Sequence, residues 1–286
     1  MQAFRYLRPA TVEEALGLLE EHGDRARLLA GGTDLVIELR NRWRTPEVVV
    51  DLKRIEELRP AIRVEGKRLV ITAGTVMGDL EKHPIVLERF PALAEAAAVV
   101  GSVQIRNRAT LAGNICNGSP AADTTPPLLV YGAEMVIASR TARRRMPIDE
   151  FVLGPGKVAL GPAEMVTAIE LPMDRRIAAA YTRMTRRHGT DLASITLCCG
   201  VDSTGTTRLA YGSVGPRAFL VVDESGVLAD PKANREKKAP VLAALFAKAS
   251  PSPTSMRAGP EYRVAMLPVL GARALATALE RLGKTA

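Results

Sequence analysis

The chain has 286 residues, 47% of them hydrophobic, enough for a sizeable core and for two or three domains. No apolar run reaches the roughly 18 residues of a membrane span, and the first residues carry no apolar signal-peptide stretch. The charge of +8 invites a nucleic-acid reading, but the basic residues are dispersed and aromatics make up 4% of the chain, so stacking platforms are few. A basic face for an acidic partner subunit or an anionic cofactor is the better expectation. Three cysteines (Cys116, Cys198, Cys199) show no CxxC spacing, which argues against a zinc or iron–sulfur site and for a reduced, cytoplasmic protein.

In chain order, "TVEEALGLLEEHG" (11–23) reads as a helix with Thr11 as N-cap, Glu14 completing a capping box and Gly23 as the stop. "RARLL" is a short strand, "LVIELRNR" a helix, and "EVVVDL" (47–52) and "RLVITAG" (68–74) are strands. "TVMGDLEKH" predicts a short helix capped by Thr75, and "PALAEAAAVV" (91–100) a helix begun by proline. The following stretch of about thirty residues, "GSVQIRNRATLAGNICNGSPAADTTPPLL", is rich in Gly, Asn, Ser, Thr and Pro and reads as a long functional loop. "EMVIAS" and "EMVTAIELP" are strands, and "RTARRR" (140–145) between them reads as a solvated turn.

Beyond Pro172 the texture changes. "AAAYTRM", "ASITLCCGVD" and "TRLAYGSVG" predict an antiparallel meander, and "EKKAPVLAALFAKA" and "YRVAMLPVLGARALATALERL" predict two helices. Adjacent strand residues face opposite ways, so Cys198 and Cys199 are expected on opposite faces. The fold class is α+β, with domains at 1–175 and 176–286.

Two stretches carry chemistry. In "LLAGGTDLVIEL" (28–39) an apolar strand enters two glycines and resumes as a helix. That pattern suits a phosphate reaching backbone N–H groups, but a tight turn without a ligand leaves the same trace and is the commoner cause of a lone Gly-Gly. "TLAGNICNGSPAAD" (110–123) again offers small residues, with Asn114, Asn117, Ser119 and Asp123 as hydrogen-bonding groups. Together they suit a long ligand with phosphates and a sugar, whose hydroxyls an acceptor-only carboxylate such as Asp123 would meet. Cys116 reads as a packed small residue, His83 and His188 as surface or hinge positions, and Tyr181 and Tyr211 as core residues, one of which could flank a ligand.

"LLAGGTDL" followed by "GSVQIRNRATLAGNICNGSPAAD" resembles the two flavin-binding loops of the FAD subunits of molybdenum hydroxylases, the xanthine dehydrogenase and aerobic carbon monoxide dehydrogenase family. The similarity continues through "AYTRMTRRHGTDLASI", "YGSVGPRAF" and "SMRAGPEYRVAML", and so covers most of the chain. It implies a PCMH-type FAD-binding domain of two α+β subdomains, then a C-terminal domain with a small antiparallel sheet and helices. Ala30, Gly31, Gly32, Thr33, Asp34 and Leu35 would cradle the pyrophosphate, with Leu29 also among the cofactor-binding residues, and Thr110, Leu111, Ala112, Gly113 and Asn114 would form the second wall. Asp123 would meet ribityl or adenosine hydroxyls, Val166 would lie against the flavin and Arg183 near its ring edge. Ala109 and Ala112 stand where members commonly have glycine, tolerable if φ is negative. Thr33 replaces a histidine that relatives of the wider fold use for covalent attachment, so the FAD is expected to dissociate. No catalytic side chain and no metal ligand is expected in this chain.

The resemblance also implies partners. A large subunit would hold the molybdenum cofactor and a small one the [2Fe–2S] clusters, in a heterotrimer that passes electrons through FAD to an acceptor such as NAD⁺ or a quinone. Two other readings stay open: a stand-alone flavin reductase of the same fold, and a scaffold subunit without flavin.

Overall fold

A computed structural model describes residues 1–284. Strand β1 (Arg5–Leu7) is followed by α1 (Val12–His22), β2 (Ala26–Leu29), α2 (Leu35–Asn41) and β3 (Val48–Asp51). The three strands form a parallel sheet in the order β1-β3-β2. Helix α1 starts where the capping box places it. The Thr11 hydroxyl accepts from the Glu14 amide at 3.1 Å, and the Glu14 carboxylate accepts from the Ala10 amide at 2.7 Å. Its buried stripe of Val12, Ala15, Leu16 and Leu19 turns toward the core.

Next come β4 (Ile62–Glu65), β5 (Arg68–Thr72), α3 (Met77–Leu80), α4 (Pro84–Arg89), α5 (Pro91–Ala98), α6 (Val103–Arg106), α7 (Leu111–Cys116) and α8 (Thr125–Tyr131). After them lie β6 (Glu134–Ala138), β7 (Arg143–Pro147), α9 (Ile148–Phe151), β8 (Val152–Gly154), β9 (Lys157–Val158) and β10 (Met165–Pro172). A five-stranded antiparallel sheet runs β4-β5-β10-β6-β7, and β8 and β9 form a small ribbon. The remainder is an antiparallel meander of β11 (Ile177–Met184), β12 (Ile195–Asp202), β13 (Thr207–Gly212) and β14 (Phe219–Asp223), then α10 (Arg235–Ala244) and α11 (Pro260–Gly283).

Every residue of β12 is buried, because helices cover the meander on both sides. Helices α5 and α8 pack on one face and α11 on the other. Period-2 alternation sends Ile195, Leu197, Cys199 and Val201 into the core under α10 and α11. Cys198 points the other way, into the large core that the first two sheets build. The opposite facing of the two cysteines expected from alternation is therefore observed.

Three expectations are corrected. The stretch 101–129 is not one long loop but holds α6, α7 and the start of α8. Two of its hydroxyl residues are helix caps: Ser102 accepts from the Ile105 amide and Thr110 from the Gly113 amide. Only the first half of "RTARRR" is a turn. Arg143 to Arg145 lie on β7, where Arg145 meets Glu170 in a bidentate pair at 2.8 and 3.0 Å and Arg144 meets Glu164. Finally, α3 is capped at Val76, not Thr75, whose hydroxyl instead reaches the Ala61 carbonyl at 3.1 Å.

Candidate functional site

The first glycine loop links β2 to α2. Gly32 has φ +80°, a left-handed turn that glycine adopts without a Cβ penalty. It lets the chain reverse, so that the Val36 amide donates to the Gly32 carbonyl at 3.0 Å. The amides of Gly31, Gly32, Thr33, Asp34 and Leu35 donate to no group among the described residues. Asp34 is the N-cap residue and makes no side-chain capping bond. Five consecutive unengaged donors at a helix start form an anion-receptive surface.

Gly31 has a different cause. A Cβ there would lie 2.0 Å from the Arg108 carbonyl oxygen, so the two glycine loops touch at this point. The second loop is pinned from the far side, where Met77 donates to the Ala109 carbonyl at 2.9 Å and Leu111 to the Thr75 carbonyl at 3.1 Å. Thr110 caps α7 through the Gly113 amide at 3.0 Å, and a Cβ on Gly113 would crowd that hydroxyl at 2.8 Å. The Asn114 side chain accepts from the Thr124 hydroxyl at 2.7 Å and draws the Asp123 segment against α7. Leu111 and Ala112 are buried. Neither Ala109 nor Ala112 has positive φ, so both alanines sit without backbone strain.

Where the loops meet there is a cavity of about 250 Å³. Ala30, Gly31 and Thr110 line it together with apolar Leu52, Leu58, Pro60 and Val76, and Lys53, Arg59 and Arg108 stand at its wall. Lys53 is held by Asp51 at 2.5 Å and Arg59 by Glu56 at 2.9 Å, whereas Arg108 makes no ion pair among the described residues. These three cations escaped the sequence reading. Nothing in their spacing signals a common wall, because separate turns deliver them.

Asp123 and Arg183 come together as a second group, with Tyr181. Tyr181 and Arg183 are two residues apart on β11 and therefore share a face. The Tyr181 hydroxyl donates to Asp123 Oδ1 at 2.5 Å, and Arg183 Nη1 lies 3.4 Å from both carboxylate oxygens. Burial raises the Asp123 carboxyl above the ordinary aspartate range, while the Tyr181 and Arg183 hydrogen bonds and the Arg183 charge pull it down. Burial, and then the Asp123 charge, push the Tyr181 phenol well above its usual value. Tyr181 was legible only as a core residue or possible flank; its i, i+2 relation to Arg183 was the available signal.

Val166 joins neither group. It is buried at a bulge in β10, next to Thr167, whose carbonyl accepts from the cavity residue Ala73 at 2.9 Å. Leu29 closes β2 opposite Asp51. Cys116 packs against the core as expected, and burial pushes its thiol up to about 12.

Residues 2–174 match the family described as the FAD binding domain in molybdopterin dehydrogenase, and residues 179–278 match the CO dehydrogenase flavoprotein C-terminal domain. The carbon monoxide dehydrogenase medium chain of Hydrogenophaga pseudoflava is 34% identical over 97% of this chain and 98% of its own. The xanthine dehydrogenase FAD-binding subunit of Escherichia coli O157:H7 is 30% identical over 97% of each. Among solved structures, carbon monoxide dehydrogenase from H. pseudoflava superposes with a TM-score of 0.88 at 34% identity, covering 98% of each chain. Reconstituted CO dehydrogenase from Oligotropha carboxidovorans gives 0.90 at 29% identity, covering 98% of this chain and 99% of that one. The fold is thus a PCMH-type FAD-binding fold followed by a C-terminal antiparallel domain. The chain belongs to the family of FAD-binding subunits of molybdenum hydroxylases, and is an oxidoreductase component.

Proposed function

We propose that this chain is the electron-transfer subunit of a molybdenum hydroxylase complex, receiving electrons from [2Fe–2S] clusters in a small partner subunit and passing them to an external acceptor such as NAD⁺ or a quinone. A large partner subunit would hold the molybdenum cofactor and the substrate. The observation that carries the reading is the run of unengaged amides from Gly31 to Leu35 beside the cavity. A chain with no anionic ligand there would leave these donors to water alone.

Bound FAD would supply the exchange between one-electron carriers and a two-electron acceptor. This chain's own residues bind and orient. In this proposal Leu29 to Leu35 cradle the pyrophosphate, and Thr110 to Asn114 form the facing wall. Lys53, Arg59 and Arg108 balance the phosphate charge, and Leu52, Leu58 and Pro60 receive an apolar ring. Asp123 accepts from sugar or ribityl hydroxyls, with Val166 against the flavin and Arg183 near its ring edge. No side chain is assigned an acid or base role.

The division at 175/176 and a cytoplasmic location belong to the same proposal. The first is supported by the two family matches, which meet between 174 and 179, and the second by three free cysteines. In addition, no helix is long and apolar enough to cross a membrane among the described residues.

The test is a visible absorption spectrum of the purified chain, repeated on the supernatant after acid precipitation. Flavin bands that pass into the supernatant are expected. A chain that stays colourless with added FAD, alone and with its partner subunits, refutes the reading.

A further inference from the structure

Strand β11 is an edge strand of its sheet, so the N–H and C=O groups on its outer side find no neighbouring strand. Two side chains from distant elements take that place. The Glu95 carboxylate, on α5, accepts from the Tyr181 amide at 2.9 Å through Oε2. Arg281, near the end of α11, donates to the Ala179 carbonyl at 2.5 Å and, through its other nitrogen, to Glu95 Oε1. An ion pair therefore stands where a strand would, one group accepting from the edge and the other donating to it.

The pair binds the backbone of the residue whose side chain holds Asp123. Tyr181 is fixed at its amide by Glu95 and at its hydroxyl by Asp123, and Arg183 follows two residues later on the same face. The other end of α11 reaches the Asp123 segment from behind. Buried Arg263 donates to the Ser213 carbonyl at 2.6 Å, and the Ser213 amide donates to the Pro120 carbonyl at 2.7 Å. Ser213 has φ +64°, an uncommon conformation for a non-glycine residue that persists where surrounding bonds over-determine it. Both members of the Asp123–Tyr181 contact are thus referred to one helix, by arginines 18 residues apart, or about 27 Å along the axis.

We propose that Glu95 and Arg281 are positioning residues that set Tyr181 and Arg183 on Asp123, and through them the geometry of the flavin wall. The inference rests on the flavin reading of Asp123. It predicts that damage to the ion pair weakens FAD binding through Asp123, not through general loss of fold.

The experiment uses the full-length chain and four variants: Glu95→Ala, Glu95→Gln, Asp123→Asn and the double variant Glu95→Ala/Asp123→Asn. Leu275→Ala, a buried α11 residue facing the other core, controls for destabilisation. FAD affinity is read by fluorescence titration and backbone opening by hydrogen exchange of the peptide 177–184. Glu95→Ala should weaken FAD binding about tenfold, Glu95→Gln less, and Glu95→Ala should add no further loss in the Asp123→Asn background. The 177–184 peptide should exchange faster in Glu95→Ala than in Leu275→Ala.

Unchanged FAD affinity in Glu95→Ala, an equal loss in both backgrounds, or the same loss in Leu275→Ala overturns the inference. If the wild-type chain binds no FAD even with its partners, the flavin reading fails. The positioning role is then decided by exchange alone, and unchanged protection of 177–184 in Glu95→Ala overturns it.

Discussion

Between Gly31 and Leu35 five backbone amides in a row have no acceptor among the described residues. Between Leu111 and Asn114 three of four are engaged, by the Thr75 carbonyl, the Thr110 hydroxyl and the Thr110 carbonyl. The two loops look alike in sequence, each a set of small residues around glycine. One keeps its donors unengaged, and the other is bonded into place. Glycine itself does not tell them apart. Gly31 admits the Arg108 carbonyl, Gly32 supplies a left-handed turn and Gly113 leaves room for a cap, and none of these reasons requires a ligand. What separates the loops is which donors remain after the chain has bonded to itself.

Breaking the contact between the loops should have the largest effect. Gly31→Ala sets a methyl against backbone that cannot yield, and is expected to lower unfolding stability by about 3 kcal/mol while abolishing flavin retention. Gly32→Val leaves the contact between the loops but strains the turn, at a cost of about 1–2 kcal/mol for a side chain at positive φ, and sets a Cβ 2.9 Å from Leu29 Cδ1. It should release the flavin while the β11–β14 sheet keeps its exchange protection. A Gly32→Val chain that keeps its full yellow absorbance would break the assignment of that loop.

Asp123 sharpens the comparison through pH. Its carboxyl is raised in the folded chain, mainly by burial, so the fold holds that proton more tightly than the unfolded chain does. The resulting contribution is fully present below the ordinary aspartate pKa and is lost as pH rises through the higher folded value. At neutral pH the ionised group is therefore a net cost. Asp123→Asn should raise the melting temperature of the flavin-free chain near pH 7, with the gap closing in acid, yet weaken FAD binding. An Asn variant less stable at neutral pH would show that Tyr181 and Arg183 outweigh burial.

The smallest effect belongs to the second loop's own cap. Thr110→Ala removes the bond to the Gly113 amide and should cost about 1 kcal/mol, read as a lower denaturation midpoint. FAD affinity should fall by less than in either glycine variant, because the substitution leaves the Thr110 backbone in the proposed wall of the cavity.

Regular elements were legible where side-chain period and caps agreed, as in α1 with Thr11 and Glu14, or in the alternation of β12. Helices α6 and α7 were not, because four to six residues give no apolar period, and Ser102 and Thr110 read as loop composition until their acceptors are seen. The candidate site divides the same way. Gly31, Gly32, Thr110 and Asp123 stood out as residue types in unusual company. Lys53, Arg59, Arg108 and Glu95 did not, since a cation on a turn or an acid on a helix face is ordinary until tertiary structure says what it meets. Even the bareness of Gly31 was legible only as bareness. Its cause, a carbonyl about eighty residues away in the chain, belongs to packing.

Cys198 and Cys199 are neighbours on one strand and lie in two different cores. Burial raises both thiols, so neither reacts while its own side of the sheet is closed. The pair amounts to a two-handed clock built into the molecule. During unfolding, the order in which the two sulfurs become open to alkylation reports which layer peels from the meander first, α5 and α8 on one face or the C-terminal helices α10 and α11 on the other.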